Sequence, residues 1–201
     1  MAASVSVPAS ASAARRGHLY VFSGPSGTGK GTVLAALCGR NPELWFSVSA
    51  TTRAPRAGEA DGRDYHFVSR KRFEELIATD GLLEWARVFD QYYGTPRAPV
   101  AEQVAAGVDC LLDIDVQGAL QVRERMPEAV LIFLKPPSLE ALRARLTQRG
   151  TEDPAEIERR LAAAADEMAH ESVYNHILVN VTVDETVARI NDILVAHRLK
   201  E

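Results

Sequence analysis

Short apolar runs alternate along the chain with segments in which apolar residues recur at helical spacing. The runs His18–Ser23, Cys110–Asp115, Val130–Leu134 and Ile177–Val179 are largely apolar. Continuous apolar runs of this length are typical of strands in a parallel sheet that is covered on both faces. We therefore predict an α/β domain of three layers with a parallel core sheet.

The segments between these strands have helical patterns. In Lys30–Arg40, the residues Val33, Leu34 and Leu37 fall on one face, and Gly39, Asn41 and Pro42 then end the helix. The same kind of pattern predicts further helices over Pro99–Ala106, Gln117–Arg125, Leu139–Gln148, Pro154–Glu171 and Val183–Leu199.

Two segments depart from the strand and helix alternation. Residues 49–98 contain short alternating runs such as Tyr65–Val68, interrupted by Gly, Pro and charged residues, and only Arg70–Ala78 is helix-like. They predict a small insert of short strands outside the parallel core. Later, Arg149–Gly150 interrupts the helical pattern, and we predict a mobile lid over residues 143–162. The core then consists of residues 18–48, 99–142 and 163–201.

The N-terminal segment has the composition of a disordered tail. Residues 1–17 are rich in Ala and Ser and end in basic residues, without the leading charge and apolar segment of a secretory signal. A transit peptide is the alternative. Apolar runs in the chain stay well below the ~18 residues of a membrane span. We expect residues 18–201 to form one domain that does not bind membranes.

Composition limits the function classes. The net charge of −4 over 201 residues argues against a general nucleic-acid binder, which is normally basic. Cys38 and Cys110 lie in neither a metal-binding nor a redox spacing. Both are predicted to be reduced, packed thiols of a cytoplasmic protein.

A glycine-rich loop joins the first strand to the first helix. Its spacing is G-x-x-x-x-G-K, from Gly24 to Lys30. Such a loop points backbone N–H groups at phosphate oxygens, the helix N-terminus adds positive potential, and the lysine reaches the β- and γ-phosphates. We predict a nucleoside triphosphate site at Gly24, Pro25, Ser26, Gly27, Thr28, Gly29, Lys30, Gly31 and Thr32.

The metal-binding hydroxyl of this motif is displaced. Gly31 stands where Ser or Thr normally contacts Mg²⁺, and Thr32 is the candidate replacement. Asp113 and Asp115 close a predicted strand and face the same crevice. Asp115 also begins a D-x-x-G pattern, as in GTPases, but the guanine-binding N-K-x-D pattern of those proteins is absent.

The insert carries groups suited to a second, phosphorylated substrate. Arginines and tyrosine hydroxyls are good donors to a monophosphate. Glu84 lies in an apolar setting, where a carboxylate needs donors, and the N1–H and N2–H₂ groups of guanine supply two. Adenine has an unprotonated N1 at that edge. The remaining candidates are Arg53, Arg56, Arg63, Tyr65, Tyr92 and Tyr93 for the phosphate, with Ser49 and Thr95 as donors to guanine O6 or N7.

At these residues the chain resembles the guanylate kinases, from about Leu19 to the C-terminus. The motifs that carry the resemblance are GPSGTGKGT, SATTRAPRAGEADGRDYHFV, LLEWARV, YYGTP, LLDIDVQGA and RGTED followed by ERRLAAAADE. The resemblance implies transfer of a phosphoryl group from ATP to GMP, with Mg²⁺ as cofactor and dGMP as a second acceptor, in purine nucleotide recycling.

The resemblance also assigns roles to residues. It implies phosphate contacts at Arg53, Arg56, Tyr65 and Tyr93, guanine contacts at Ser49, Glu84 and Thr95 with Asp113 nearby, lid arginines at Arg149 and Arg160, and an adenine-side contact at Asn180. Lys30, Arg53, Arg149 and Arg160 are the implied catalytic set. The acceptor phosphate has a second pKa of about 6, so we expect no general base.

Two other function classes stay open. One is an inactive scaffold that keeps the fold to bind peptides, although such domains usually lose the loop lysine or the acceptor arginines. The other is a P-loop kinase for a different phosphorylated acceptor, such as a ribosyl phosphate. Monomer and homodimer are both compatible with the sequence.

Overall fold

The chain alternates strands and helices in a computed structural model, which describes residues 15–149 and 153–199. The predicted tail therefore lies almost wholly outside the described residues. The strands are β1 (Leu19–Ser23), β2 (Trp45–Phe46), β3 (Ala50–Thr51), β4 (His66–Phe67), β5 (Leu82–Val88), β6 (Gln91–Pro96), β7 (Cys110–Asp113), β8 (Val130–Lys135) and β9 (His176–Val179). The helices are α1 (Lys30–Arg40), α2 (Arg70–Ala78), α3 (Arg97–Ala105), α4 (Val116–Arg125), α5 (Leu139–Arg149), α6 (Pro154–Met168) and α7 (Val183–Arg198).

A parallel sheet in the order β2-β7-β1-β8-β9 forms the core. Its central strand β1 is buried along its whole length, which explains why its sequence is apolar on both faces. One apolar cluster joins the sheet to α3 and α4, and another joins it to α1 and α7. The predicted three-layer α/β fold with a parallel core is thus confirmed.

Several core elements differ from their predicted bounds, and one was not predicted. The strand predicted over Cys110–Asp115 ends at Asp113, because the Asp115 carboxylate caps α4 by accepting a 2.8 Å hydrogen bond from the Gly118 N–H. The helix predicted to reach Glu171 ends at Met168, and Glu171 begins a short 3₁₀ helix. The edge strand β2 was not predicted, since two residues give no readable alternation.

Residues of the predicted insert form a separate four-stranded sheet in the order β4-β3-β6-β5. It has its own small apolar cluster around Ala50, Phe73 and Leu82, against which α2 packs. Strand β5 connects it to the core, because the Gln121 side chain of α4 exchanges two hydrogen bonds with the Trp85 backbone.

Helices α5 and α6 form a pair with a further apolar cluster. Leu142 and Leu146 of α5 pack against Ile157, Leu161 and Ala164 of α6. The predicted lid falls mainly within this pair, and residues 150–152 lie outside the described residues. Among the described helices, none has the length and apolar character needed to cross a membrane.

Candidate active site

The glycine-rich loop runs between β1 and α1 in a conformation that requires its glycines. Gly24, Gly27 and Gly29 have φ values of 151°, 88° and 91°. A β-carbon on Gly24 would also stand 2.0 Å from the Leu134 carbonyl oxygen, so no other residue fits there. Gly29 is the N-cap of α1 and supplies no side chain, which leaves the first N–H groups of the helix directed at the loop cavity.

Lys30 lies between the glycine-rich loop and the carboxyl end of β7. Its ammonium nitrogen is 2.7 Å from Asp113 Oδ1 and 3.4 Å from the Ile114 carbonyl oxygen. Lys30 borders the cavity under the loop, whereas Asp113 borders the cavity of the insert. This ion pair therefore marks the place where the two cavities approach each other.

Oxygen-bearing side chains face the cavity under the loop. Besides the loop itself, it is lined by Thr32, Asp115 and Glu167 and has a volume of about 420 Å³. Burial raises the pKa of Glu167, and nearby Lys30 opposes the rise. Within residues 15–149 and 153–199, no group of three or more His, Cys, Asp or Glu side chains is arranged to hold a metal ion.

A second cavity, of about 330 Å³, lies on the other side of the loop. Asn180 is buried at its wall and donates a 2.7 Å hydrogen bond to the Thr28 carbonyl oxygen. Arg145 donates to the Thr28 and Asn180 carbonyl oxygens at 3.0 and 2.9 Å. Thr32 borders this cavity as well as the one under the loop. The predicted residue Asn180 thus lies beside the predicted loop, fixed by backbone contacts.

The cavity of the insert, about 210 Å³, is lined by five of the predicted acceptor residues. Ser49, Tyr65, Glu84, Tyr93 and Asp113 all line it. Glu84 is only 5% exposed, and burial raises its pKa from 4.5 to about 7 against the opposing hydrogen bond from Thr95. The hydroxyl of Thr95 is buried and donates to Glu84 Oε1 at 2.6 Å. Thr95 therefore orients Glu84 in this structure, instead of presenting its hydroxyl to the cavity.

Arg53 lies beside Tyr65 of this cavity and forms a two-pronged ion pair. Both of its terminal nitrogens lie 2.9 Å from the carboxylate of Glu59. That contact lowers the pKa of Glu59 to about 2 and raises the pKa of Arg53. The guanidinium carbon also lies 5.4 Å from the ring centre of Tyr65, whose ring meets that of Tyr93 edge-on at 6.0 Å.

The other predicted arginines of the insert are less enclosed. Arg56 is exposed, and its backbone N–H donates to Glu59 at 2.7 Å. Arg63 pairs with Asp64 at 2.8 Å and with the Gly58 carbonyl oxygen. The structure brings Arg53, Tyr65 and Tyr93 together, while Arg56 reaches the same carboxylate through its backbone.

The arginines of α5 and α6 differ in the groups that they contact. Arg160 of α6 donates to Ser26 Oγ of the loop at 3.2 Å and contacts Glu156. Arg143 and Arg159 pair with Glu158 and Glu156 on the surface of the helix pair. The side chain of Arg149 lies outside the described residues. Arg160 of α6 thus contacts the glycine-rich loop directly.

Comparison with known families agrees with this geometry. Residues 16–197 match the family model described as guanylate kinase. The chain belongs to the guanylate kinase family. This confirms the resemblance on which the expected roles depend.

Individual guanylate kinases match nearly the whole chain. One from Streptomyces coelicolor is 56% identical over 87% of this chain and 88% of its own length. One from Caldanaerobacter subterraneus is 47% identical over 92% and 90%. The crystal structure of guanylate kinase from Anaplasma phagocytophilum superimposes with a TM-score of 0.73 at 40% identity, covering 91% of this chain and 87% of that one.

Several residues in or beside the candidate site were not identified from the sequence. Glu59, Gln121, Arg145 and Glu167 were not assigned to the site. Gln121 and Arg145 contact backbone groups 36 and 117 positions away, and Glu167 lines the cavity under a loop far from it in sequence. Only the G-E-x-D-G-R-D spacing around Glu59 offered a local signal, as a dense charged turn next to Arg53.

Proposed function

We propose that the cavity under the loop and the cavity of the insert hold the two substrates of one phosphoryl transfer. The enzyme catalyses ATP-dependent phosphorylation of GMP to GDP, the reaction of its family. The observation that carries the proposed arrangement is the 2.7 Å contact between Lys30 and Asp113, because each residue lines one of the two cavities. Transfer between bound substrates requires such adjacency.

GMP would bind in the insert cavity with its base against Glu84. The ionised carboxylate accepts two adjacent donors, which guanine presents and adenine lacks. Ser49 supplies a hydroxyl at the same wall, and Thr95 keeps one carboxylate oxygen in place. We include dGMP as an acceptor, because the proposed contacts are to base and phosphate and none is assigned to the 2′-hydroxyl.

The acceptor phosphate would lie on Arg53, Arg56, Tyr65 and Tyr93. Arg53 already forms a two-pronged contact with a carboxylate, and a phosphate offers the same pair of acceptor oxygens. Since that phosphate is largely ionised near neutral pH, its oxygen attacks without a general base. Glu59 holds Arg53 in the orientation that the phosphate requires.

ATP would occupy the glycine-rich loop, from Gly24 to Thr32, with its adenine end toward Asn180. Lys30 and the loop N–H groups bind the β- and γ-phosphates. Arg160, already 3.2 Å from Ser26, would close onto the transferring group together with Arg149. Closure excludes water, which would otherwise hydrolyse ATP.

The residues at the loop fit Mg²⁺ as a cofactor. Thr32, Asp115 and Glu167 present oxygen atoms to the phosphate cavity, and Mg²⁺ prefers oxygen ligands shared among one or two side chains, water and phosphates. When bound, Mg²⁺ neutralises charge on the β- and γ-phosphates. We assign Thr32 as the hydroxyl that replaces the one missing at Gly31.

The proposed division of the chain follows the apolar clusters. The insert (49–98) and the lid (143–162) are proposed to move against the core, supported by the separate clusters in each. The proposal includes a cytoplasmic location, a role in purine nucleotide recycling, and either a monomer or a homodimer as the assembly.

A coupled assay of ADP release tests the proposal across GMP, dGMP, AMP, CMP and UMP. We expect turnover with GMP and dGMP and at least tenfold lower kcat/KM with AMP. Equal rates with GMP and AMP would contradict the guanine pocket. Absence of turnover with every monophosphate would favour the inactive scaffold.

A further inference from the structure

A phenylalanine occupies the tip of the β5–β6 hairpin, where glycine is the usual residue. Val88 pairs with Gln91, so Phe89 and Asp90 form a two-residue turn. Phe89 has φ of 54°, and Asp90 is not among the residues with positive φ. A two-residue turn with positive φ at its first position normally has glycine there. The side chain of Phe89 is also 94% exposed. Both features disfavour a bulky aromatic residue, which suggests that Phe89 serves a function.

The ring of Phe89 faces the lid across a cavity of about 510 Å³. Every other residue lining that cavity belongs to α6: Glu156, Arg159, Arg160 and Ala163. Their spacing of three, four and seven residues places them on one face of the helix. The opposite face of α6, with Ile157 and Leu161, is packed on α5. This cavity therefore separates the insert from the lid.

The chemistry of this α6 face suits an aromatic ring. Ala163 offers a small apolar surface. The Glu156 carboxylate accepts hydrogen bonds from the guanidinium groups of Arg159 and Arg160 at 2.5 and 3.2 Å. Guanidinium groups held in place favour contact with the face of an aromatic ring. Arg160 also contacts Ser26 of the loop. An aromatic ring bound on this face of α6 would therefore contact a lid arginine that reaches the loop.

We infer that Phe89 is a positioning residue that docks on this face of α6 when the insert closes over GMP. The inference rests on the proposed function of Arg160 at the transferring phosphate. Docking makes closure of the insert and closure of the lid favour each other, so GMP tightens the binding of ATP. Phe89 does not line the GMP cavity, and it therefore acts through Arg160 and not through contact with the acceptor.

Replacement of Phe89 by Gly separates this role from a structural one. Glycine suits φ of 54°, so Phe89→Gly should keep or raise Tm. Titrations of a non-hydrolysable ATP analogue, with and without saturating GMP, measure the coupling. We expect the factor by which GMP tightens the analogue to fall at least fivefold, kcat to fall by a similar factor, and Kd for GMP alone to stay unchanged. Phe89→Tyr should retain the coupling.

Two further variants sharpen the test. Phe46→Ala removes another exposed aromatic, from the edge strand β2, and should leave coupling unchanged. Arg159→Ala, combined with Phe89→Gly in a double-mutant cycle, should be non-additive. Wild-type coupling in Phe89→Gly, or weaker binding of GMP alone, would overturn the inference. Absence of turnover when the wild-type enzyme is given ATP and GMP would instead contradict the proposed function.

Discussion

One carboxylate oxygen of Glu84 lies against Gly118, so closely that a β-carbon on the glycine would stand 2.7 Å from Oε2. The other oxygen, Oε1, accepts a 2.6 Å hydrogen bond from the Thr95 hydroxyl. Gly118 is the last residue of the D-x-x-G pattern that is shared with GTPases. Here the pattern has a local explanation, because Asp115 caps α4 and Gly118 leaves room for Glu84.

Replacement of Gly118 by Ala should impair GMP recognition. The added methyl group must displace the Glu84 carboxylate or shift α4, since the contact is shorter than real β-carbons adopt. We expect KM for GMP to rise roughly tenfold or more while KM for ATP changes little. Steady-state kinetics with each substrate varied in turn measures the difference.

Gly39 provides the matched control for this variant. It lies in α1, and a β-carbon there would meet nothing within 4 Å. Gly39→Ala should raise the free energy of unfolding by about 0.5–1 kcal/mol through helix propensity and leave both KM values unchanged. Similar kinetics for the two variants would show that Gly118 is not required for the position of Glu84.

Replacement of Glu84 by Gln should weaken the preference for GMP over AMP. The amide keeps the size of the side chain but presents a donor where guanine also presents one. We expect the ratio of kcat/KM for GMP to that for AMP to fall at least tenfold. An unchanged ratio would remove Glu84 from the guanine site. Glu75→Gln, an exposed change on α2, is the control.

Binding of GMP should depend on pH through Glu84. Its pKa is raised to about 7 by burial, and only the ionised form accepts the guanine donors. Between pH 8 and pH 6 the ionised fraction falls about tenfold, so we expect Kd for GMP to rise by about that factor. Calorimetry in buffers of different ionisation enthalpy should detect proton release on binding near pH 7.

The Glu84→Gln variant separates this titration from that of the substrate, whose phosphate has a second pKa of about 6. In the variant, only the second ionisation of the GMP phosphate should contribute to the pH dependence of Kd.

The raised pKa of Glu84 also affects stability, because folded Glu84 holds its proton more tightly than the unfolded chain does. Its contribution to the free energy of unfolding should therefore be full below pH 4.5 and decline as pH rises toward 7. A decline of equal size in Glu84→Gln would contradict this assignment.

Local sequence patterns predicted the parts of the site that depend on neighbouring residues. The P-loop could be located because its spacing, strand and helix are contiguous, and α1 has the predicted bounds, Lys30–Arg40. Contacts between distant segments left no such pattern. Arg145 reaches Thr28 across 117 positions, and Gln121 reaches Trp85 across 36. Neither the residue types nor their spacing in the sequence predicts these contacts.

Thr95 illustrates a different limit. Its hydroxyl was expected to face guanine, and its neighbour Glu84 was assigned to the same base. Sequence spacing does not show whether the Thr95 hydroxyl or the Glu84 carboxylate lies at the cavity surface. The register of β5 and β6 places Glu84 opposite Thr95, whose buried hydroxyl donates to Glu84, and Glu84 is the one that lines the cavity.

Restoring a hydroxyl at position 31 tests whether Thr32 supplies the hydroxyl that binds Mg²⁺. A β-carbon on Gly31 would meet nothing within 4 Å, so Gly31→Ser should fold normally. If Thr32 binds Mg²⁺, Thr32→Ala should raise the Mg²⁺ concentration for half-maximal rate several-fold, and Gly31→Ser should restore it in the double variant. Thr147→Ala, on the exposed face of α5, should have no effect. An unchanged Mg²⁺ requirement in Thr32→Ala would exclude Thr32 as a ligand.

Replacement of Lys30 by Ala should remove most of the activity without unfolding the protein. Lys30 is partly exposed and pairs with Asp113, and that pair is proposed to open when ATP supplies phosphate oxygens to the ammonium group. Loss of a preorganised charge at a transferring group costs about a hundredfold or more in kcat. Lys71→Ala, on the exposed surface of α2, is the control for loss of a lysine. Thermal unfolding followed by circular dichroism should give similar Tm values for both variants. Turnover of Lys30→Ala at the level of Lys71→Ala would refute the phosphate-binding role of Lys30.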